Sequence, residues 1–273
     1  MARICKSTKY SAQEASGLES RLEAYSTIMA IAHELKHARR AVALTGAGIS
    51  AESGLGTFRG RDGLWSRYDP AVVASIESFN QNPRKFWQFA RDIGWKFLDA
   101  EPNAAHIALA ELAAMKHLNC VITQNIDGLH QRAGSKDVIE IHGNIRRVDC
   151  TMCATTYATE KIVDSLVQQD VPTCQRCGGT LKPDVVLFGE EIPKKTLAEA
   201  VKRVRSADVL LTVGTSLEVY PASSFPELAK KNQAKLISIN MERTRWDDFS
   251  DYQVHGSAAD VLPRIVQAIK IGF

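Results

Sequence analysis

Ala41-Val42-Ala43-Leu44-Thr45-Gly46-Ala47-Gly48-Ile49-Ser50 reads as a short buried strand running straight into a glycine turn. Glycines at such a turn let the backbone approach a phosphate closely, and its N–H groups can bind the anion. With Ala51 the turn matches G-x-G-x-x-A, although a glycine turn of purely structural origin fits the same letters. A dinucleotide fingerprint also wants an acidic residue ending the next strand, about 20 residues on. Here the stretch from Thr57-Phe58-Arg59 to Asp69 is a glycine- and arginine-rich loop, and Asp69 stands in the wrong context. The turn therefore points to phosphate binding and away from a hydride-transfer dehydrogenase.

Outward from this turn, short apolar runs recur at Cys120–Ile122, Val138–Ile141, Val185–Phe188, Val209–Val213 and Leu236–Ile239. Helical patterns fall at 12–38, 79–98 and 104–115, the last behind a candidate cap at Asn103. Others cover 196–205, 225–232 and 260–270. Strands alternating with helices predict a mainly parallel α/β sheet. The strands end in polar or glycine-rich clusters: Thr45–Gly48, Gln124–Asp127, His142-Gly143, Gly214-Thr215-Ser216 and Asn240. Ligands of open α/β sheets bind at those carboxyl ends, so the clusters predict one shared crevice.

The 273 residues suit one large domain, or a large one carrying a small one. A net charge of +3 is too mild to argue for nucleic acid. No apolar run reaches the length of a membrane span, and residues 1–10 lack the apolar core of a secretory signal. The expectation is a cytoplasmic protein that uses neither membrane nor nucleic acid.

Cys150-Thr151-Met152-Cys153 and Cys174-Gln175-Arg176-Cys177 interrupt the alternation. Two C-x-x-C knuckles are the sequence form of a four-thiolate zinc site. In a reducing compartment they read better as metal ligands than as disulfides. The expected layout is an N-terminal helical extension over 1–40, a Rossmann-like domain over 41–143 and 183–273, and a zinc-ribbon module over 144–182. Arg146, Arg147, Lys161, Arg176 and Lys182 in that module are balanced by Asp149, Glu160, Asp164 and Asp170, with Tyr157 the one aromatic. These charges read as a solvated face.

Gln124-Asn125-Ile126-Asp127 puts two amides and a carboxylate just past a strand, groups that suit ribose hydroxyls and a carboxamide. Asp127 can equally be a helix N-cap. His142, between Ile141 and Gly143 at a strand's end, can serve as a general base or be a structural histidine. His33, His37, His106, His117, His130 and His255 lack such a setting.

Taken in order, Gly46–Ser50, Thr57-Phe58-Arg59, Gln124–His130, His142-Gly143, the cysteine pairs, Phe188-Gly189-Glu190 and Gly214–Leu217 resemble the sirtuin family, in its short bacterial or archaeal form. The resemblance covers roughly residues 38–268. It implies NAD held as a consumed co-substrate between a Rossmann-like domain and a structural zinc ribbon. The implied activity is protein lysine deacylation. The acyl-lysine oxygen attacks C1′ of the nicotinamide ribose, nicotinamide leaves, and the acyl group ends on ADP-ribose.

By the same resemblance His142, Asn125 and Asp127 are the catalytic set. NAD would meet Gly46, Ala47, Gly48, Ile49, Ser50, Glu52, Thr57, Phe58, Arg59, Gln124 and Ile126. Its phosphate and adenosine side would meet Gly214, Thr215, Ser216, Asn240, Met241 and Ala258. The peptide would lie between Val186, Phe188, Gly189, Glu190 on one side and Leu217, Val219, Tyr220 on the other, bonding as an added strand. Val186 and Phe188 can line a lysine tunnel or simply be strand core.

Thr57-Phe58-Arg59 and Ala51–Gly54 look like the subgroup that removes succinyl and malonyl groups, which carries Tyr-x-x-Arg on the next helix. Here Ala90 and Ile93 take those places, and Arg91 is out of phase. An acetyl or longer apolar acyl group is therefore expected, on a monomeric enzyme. The alternatives are a protein ADP-ribosyltransferase on the same scaffold and, further off, a non-enzymatic zinc-ribbon binding protein.

Overall fold

The computed structural model describes residues 12–58, 63–162 and 169–272. Arg59 lies outside them. Nine strands among the described residues form two sheets. They are β1 (Ala41–Thr45), β2 (Cys120–Thr123), β3 (Val138–Glu140), β4 (Gly143–Cys150), β5 (Thr156–Ala158), β6 (Leu181–Val185), β7 (Val209–Val213), β8 (Lys235–Asn240) and β9 (Tyr252–His255). The larger sheet runs β3-β2-β1-β7-β8-β9 with every neighbour parallel.

In chain order within that sheet, the arrangement is that of a doubly wound fold. Its direction of winding reverses between β1 and β7, which opens a crevice at their carboxyl ends. Both central strands are buried along their whole length. This is why they read as continuous apolar runs rather than alternating ones.

Helices cover both faces. On one side α1 (Ala12–His37), α5 (Ala104–Ala114) and α9 (Ala258–Ile271) close a core around Ile31, Leu35, Leu109, Leu112 and Ile265. The N-terminal helix thus packs on its own sheet, and Tyr252 donates its hydroxyl to Glu34 at 3.0 Å. Tyr25, an apolar position in the helical pattern, is exposed. On the other side α7 (Lys194–Ser206) and α8 (Phe225–Lys231) enclose Leu44, Val204, Leu210 and Phe225.

Two runs differ from the expected strands. Val185–Phe188 is not in the parallel sheet: β6 ends at Val185 in the small antiparallel sheet β5-β4-β6, and the chain then leaves it. The sixth parallel strand is β9, an edge strand. The apolar pattern over 79–98 divides at Asn82-Pro83 into α3 (Ile76–Gln81) and α4 (Pro83–Asp99), following α2 (Pro70–Val73). Asn82 caps the second by accepting from the Arg84 amide. The α3–α4 pair packs on the small sheet through Phe79, Phe86 and Trp87 against Val148, Ile162 and Leu181. Trp87 also donates its indole N–H to the Leu181 carbonyl at 3.1 Å.

Candidate active site

The glycine turn after β1 docks on the turn after β7. Gly46 donates to Val213 O at 3.1 Å and Gly48 to Gly214 O at 2.8 Å. The approach leaves no room for a side chain: a Cβ on Gly214, at φ +57°, would lie 2.3 Å from the Ile49 nitrogen. Gln124 closes the same junction, its amide donating to Thr215 Oγ1 at 2.8 Å. Asn240, at the end of β8, donates to the carbonyls of Thr215 and Glu242. Gly46, Gln124, Thr215 and Asn240 thus meet in one crevice.

That crevice is a cavity of about 1290 Å³. Single-ligand pockets run to roughly 300–1,000 Å³, so this one has room for two ligands side by side. Of the residues expected there, Gly46, Ala47, Gly48, Ile49, Glu52, Thr57 and Phe58 line it. So do Gln124, Asn125, Ile126, His142, Gly214, Thr215, Ser216, Asn240, Met241 and Ala258. Val186, Phe188, Gly189, Glu190, Val219 and Tyr220 border the same space.

Three expected residues stand back from it. Ser50 and Asp127 lie buried behind the wall, and Leu217 turns its side chain into the core beside Leu44 and Leu210. Leu217 has φ +55° and its amide donates to Thr215 Oγ1. Direct contact with a peptide by the Leu217 side chain is therefore replaced by a packing role.

Behind the wall the polar groups form one chain of hydrogen bonds. Asn125 donates its amide to the Gly46 carbonyl and to Ser50 Oγ, each at 3.1 Å. Ser50 donates to Asp127 Oδ2 at 2.7 Å, and Asp127 Oδ1 accepts the Leu129 amide at 2.9 Å. Asp127 is not the N-cap of α6 (Leu129–Arg132): Gly128, at φ +71°, holds that place, and Asp127 accepts the Leu129 amide from the residue before it. His106 reaches Ser50 from α5, Nε2 to Oγ at 3.3 Å. Its Nδ1 accepts the Asn103 amide at 3.3 Å, so the remaining ring N–H is the one facing Ser50. His130 stacks edge-on against it and touches Thr45 Oγ1 at 2.9 Å. Burial pushes His106 down to about 4, against the pull of Asp127, and His130 to about 3. Both are neutral at physiological pH.

His142 Nδ1 lies 2.9 Å from the Gln124 carbonyl. A carbonyl only accepts, so Nδ1 carries the proton and Nε2 keeps its lone pair. Burial lowers the pKa of His142, opposed by that hydrogen bond. The next residue, Gly143 at φ +81°, pairs with Val185 so closely that a Cβ would lie 2.0 Å from the Asp184 carbonyl oxygen.

One wing of the cavity is apolar, and of its residues only Ala90 and Ile93 were singled out from sequence. Trp65, Phe86, Phe89, Ala90, Ile93 and Phe97 line it with Ile145 and Leu187. The aromatic richness of 79–98 was the available signal. Arg91 does not enter this wing: its guanidinium bonds the carbonyls of Gln169 and Asp170 on the cysteine module.

The four knuckle cysteines converge, their Sγ atoms all within 4.8 Å of one another. The Cys150–Cys177 and Cys153–Cys174 pairs are 3.4 and 3.6 Å apart. Thiolates at about 2.3 Å from one tetrahedral zinc stand about 3.8 Å apart, so the set fits that ion. The amides of Met152 and Cys153 point at Cys150 Sγ.

The model of the Sir2 family matches residues 46–221. The chain belongs to the Sir2 family. It is 50% identical to NAD-dependent protein deacylase 2 of Archaeoglobus fulgidus, over 86% of this chain and 93% of that protein. A solved Sir2 with a deacetylated p53 peptide and 3′-O-acetyl ADP ribose superposes with a TM-score of 0.85, at 37% identity, covering 88% of this chain and 97% of that one. Sir2Af2 bound to a myristoylated histone peptide gives 0.77 at 42% identity, covering 90% and 97%. The doubly wound sheet here carries a small cysteine module. No helix among the described residues is long and apolar enough to cross a membrane.

Proposed function

We propose that this chain is an NAD-dependent protein lysine deacylase that prefers apolar acyl groups. The observation that carries the reading is His142: its Nδ1–H is held by the Gln124 carbonyl, and it borders the cavity shared by the glycine turn and Asn125. NAD would lie with its phosphates at Gly46–Ile49 and Gly214–Ser216, and its adenosine side near Asn240, Met241 and Ala258. Its nicotinamide ribose would face Asn125. Ser50 and Asp127 act from behind by fixing the Asn125 amide. The acyl-lysine enters between Val186–Glu190 and Val219-Tyr220. Its oxygen forms the bond to C1′ as nicotinamide departs with the electrons of the broken C–N bond. His142 Nε2 would then take the proton of a ribose hydroxyl as its oxygen bonds the acyl carbon; the bond from that carbon to the lysine nitrogen breaks, the amine leaves protonated, and one water balances the formation of O-acyl-ADP-ribose. The departing group is already cationic in NAD, so positioning and one base suffice.

The acyl chain fits the apolar wing. Ala90 and Ile93, one turn apart on α4, both face it, and Arg91 is engaged elsewhere. A succinyl carboxylate would find no guanidinium there among the described residues. The relative seen with a myristoylated peptide supports a long apolar chain. Zinc bound by the four thiolates supplies structure only, because four protein ligands leave no open coordination position. A monomer as the working unit and a cytoplasmic location belong to the same proposal.

The test is nicotinamide release from labelled NAD, with and without acylated peptide, in the native chain and in His142→Ala. Release that depends on peptide and is matched by O-acyl-ADP-ribose in the native chain, with O-acyl-ADP-ribose formation lost in the variant, supports deacylation. Label appearing on protein instead would mark ADP-ribosyl transfer.

A further inference from the structure

Arg146 is a basic residue of the cysteine module that does not face water as expected; its side chain is 22% exposed. The reason lies in β4. Asn144 pairs with Asp184 of β6, but the next pair is Val148 with Pro183, so three residues of β4 bulge out where β6 advances by one. A bulge re-aims the side chains it contains. This one is braced against the catalytic loop, the Ile145 amide donating to the Ile126 carbonyl at 2.9 Å. Asn144 Oδ1 accepts the Arg146 amide at 2.8 Å and fixes its direction.

The guanidinium then spends its donors on three separate parts of the molecule. Nε donates to the Asp127 carbonyl at 3.3 Å. Nη2 donates to the Leu98 carbonyl at 3.0 Å and the Phe97 carbonyl at 3.4 Å, at the negative end of α4. Nη1 pairs with Glu160 of the cysteine module at 3.1 Å. The side chain also lies over Gly128, where a Cβ would meet its Cδ and Nε at 3.3 Å. Phe97 carries its ring onto the cavity wall, 6.2 Å from the Phe58 ring. Its cluster holds Leu129 and Ile126 as well. One residue therefore joins the Asp127-Gly128 turn, the end of the apolar wing and the cysteine module.

We infer that Arg146 is a positioning residue for NAD: it holds the Asp127-Gly128 turn in register with the Phe97–Phe58 wall, so that Asn125, fixed from behind by Ser50 and Asp127, meets the nicotinamide ribose correctly. The inference rests on the deacylase reading above. The planar fork is what the site needs, because its donors point outward in fixed directions. A lysine ammonium can reach only part of this set.

Arg146→Met and Arg146→Lys test it in the full-length zinc-loaded chain, with KM for NAD, kcat, melting temperature and zinc content all measured. Native enzyme that releases no nicotinamide in response to acyl-peptide defeats the deacylase reading and is seen before any variant is made. Given native activity, Arg146→Met is expected to raise KM for NAD about tenfold, the order of a lost charge-assisted hydrogen bond. Zinc should stay at one per chain, and kcat should fall less than KM rises. Arg146→Lys should recover part of the change. KM for NAD unchanged in either folded variant, with only the melting temperature lowered, would overturn the inference and leave Arg146 as a structural tie. Arg146→Lys keeps the charge and the stem, so it answers the question should Arg146→Met not fold.

Discussion

Val186 donates its backbone amide to the carbonyl of His142 at 2.9 Å. The proposed base and the proposed peptide edge are thus neighbours across one ladder. β4 runs from Gly143 directly to Cys150, and β6 approaches Val185 from the segment just past Cys177. Gly143 pairs with Val185 at one end and Cys150 with Leu181 at the other. The cysteine cluster therefore closes the far end of the ladder whose near end carries the proposed base.

Zinc removal should abolish turnover by freeing that ladder. As chelator strips the metal, activity and melting temperature are expected to fall together, with metal release followed by a colorimetric dye. Cys177→Ser should reproduce both losses, because it removes one of the four ligands. A metal-free preparation that stays folded and keeps full turnover would show that zinc plays no part in holding the site.

His142→Ala should lower turnover by about 10²–10⁴, the usual contribution of a general base. The pH profile gives a second check. Burial lowers the pKa of His142, and the base is active in its neutral form. The acid limb of kcat/KM is therefore expected below the ordinary histidine value of about 6.5. A limb lying above about 7 would assign it to another group.

How far the sequence carried depended on whether the signal was local. Ala41–Gly48 announced itself because a doubly buried strand must be apolar throughout and the turn after it must be glycine. Cysteine spacing did the same for the zinc ligands. β9 was missed because an edge strand half exposed along Tyr252–His255 alternates and is short. Val185–Phe188 looked like a parallel strand because this proposed peptide edge is as apolar as a core strand. His106 contacts Ser50 across 56 residues of sequence, and only its place three after Asn103 hinted at order, through a capping box. The inward turn of Arg146 follows from a bulge, which no periodicity in the sequence reports.

The two buried histidines should make the fold acid-sensitive. Each has a folded-state pKa below the unfolded value of about 6.5, so each favours the folded state when neutral. That contribution is complete above pH 6.5 and is lost as pH falls toward about 4 for His106 and about 3 for His130. Each displaced unit is worth about 1.4 kcal/mol. Urea melts of the native chain should show stability declining through this window. His130→Gln, which cannot titrate, should show a shallower decline even if less stable at pH 7; an unchanged slope would remove His130 from the account.

Acyl selectivity follows from the side chains that α4 turns toward the cavity. Ala90 and Ile93 present only hydrocarbon, among Phe86, Phe89 and Phe97. Each methylene buried there is worth about 0.8 kcal/mol, close to a fourfold gain in affinity. KM for acyl-peptide is therefore expected to fall stepwise as the chain lengthens from acetyl, until the wing is full. Succinyl-peptide should be the poorest substrate, because its carboxylate loses water and gains no guanidinium partner among the described residues. Installing Ala90→Tyr with Ile93→Arg supplies a phenol and a guanidinium at i and i+3 on the exposed face of the wing. A charge-assisted hydrogen bond of about 1.5–3 kcal/mol should then raise the succinyl-to-acetyl ratio of kcat/KM at least about tenfold. The longest chains should be turned over more slowly, because the added side chains occupy their volume. A dominant succinyl rate in the native chain would mean that the carboxylate is held by a residue outside this face of α4.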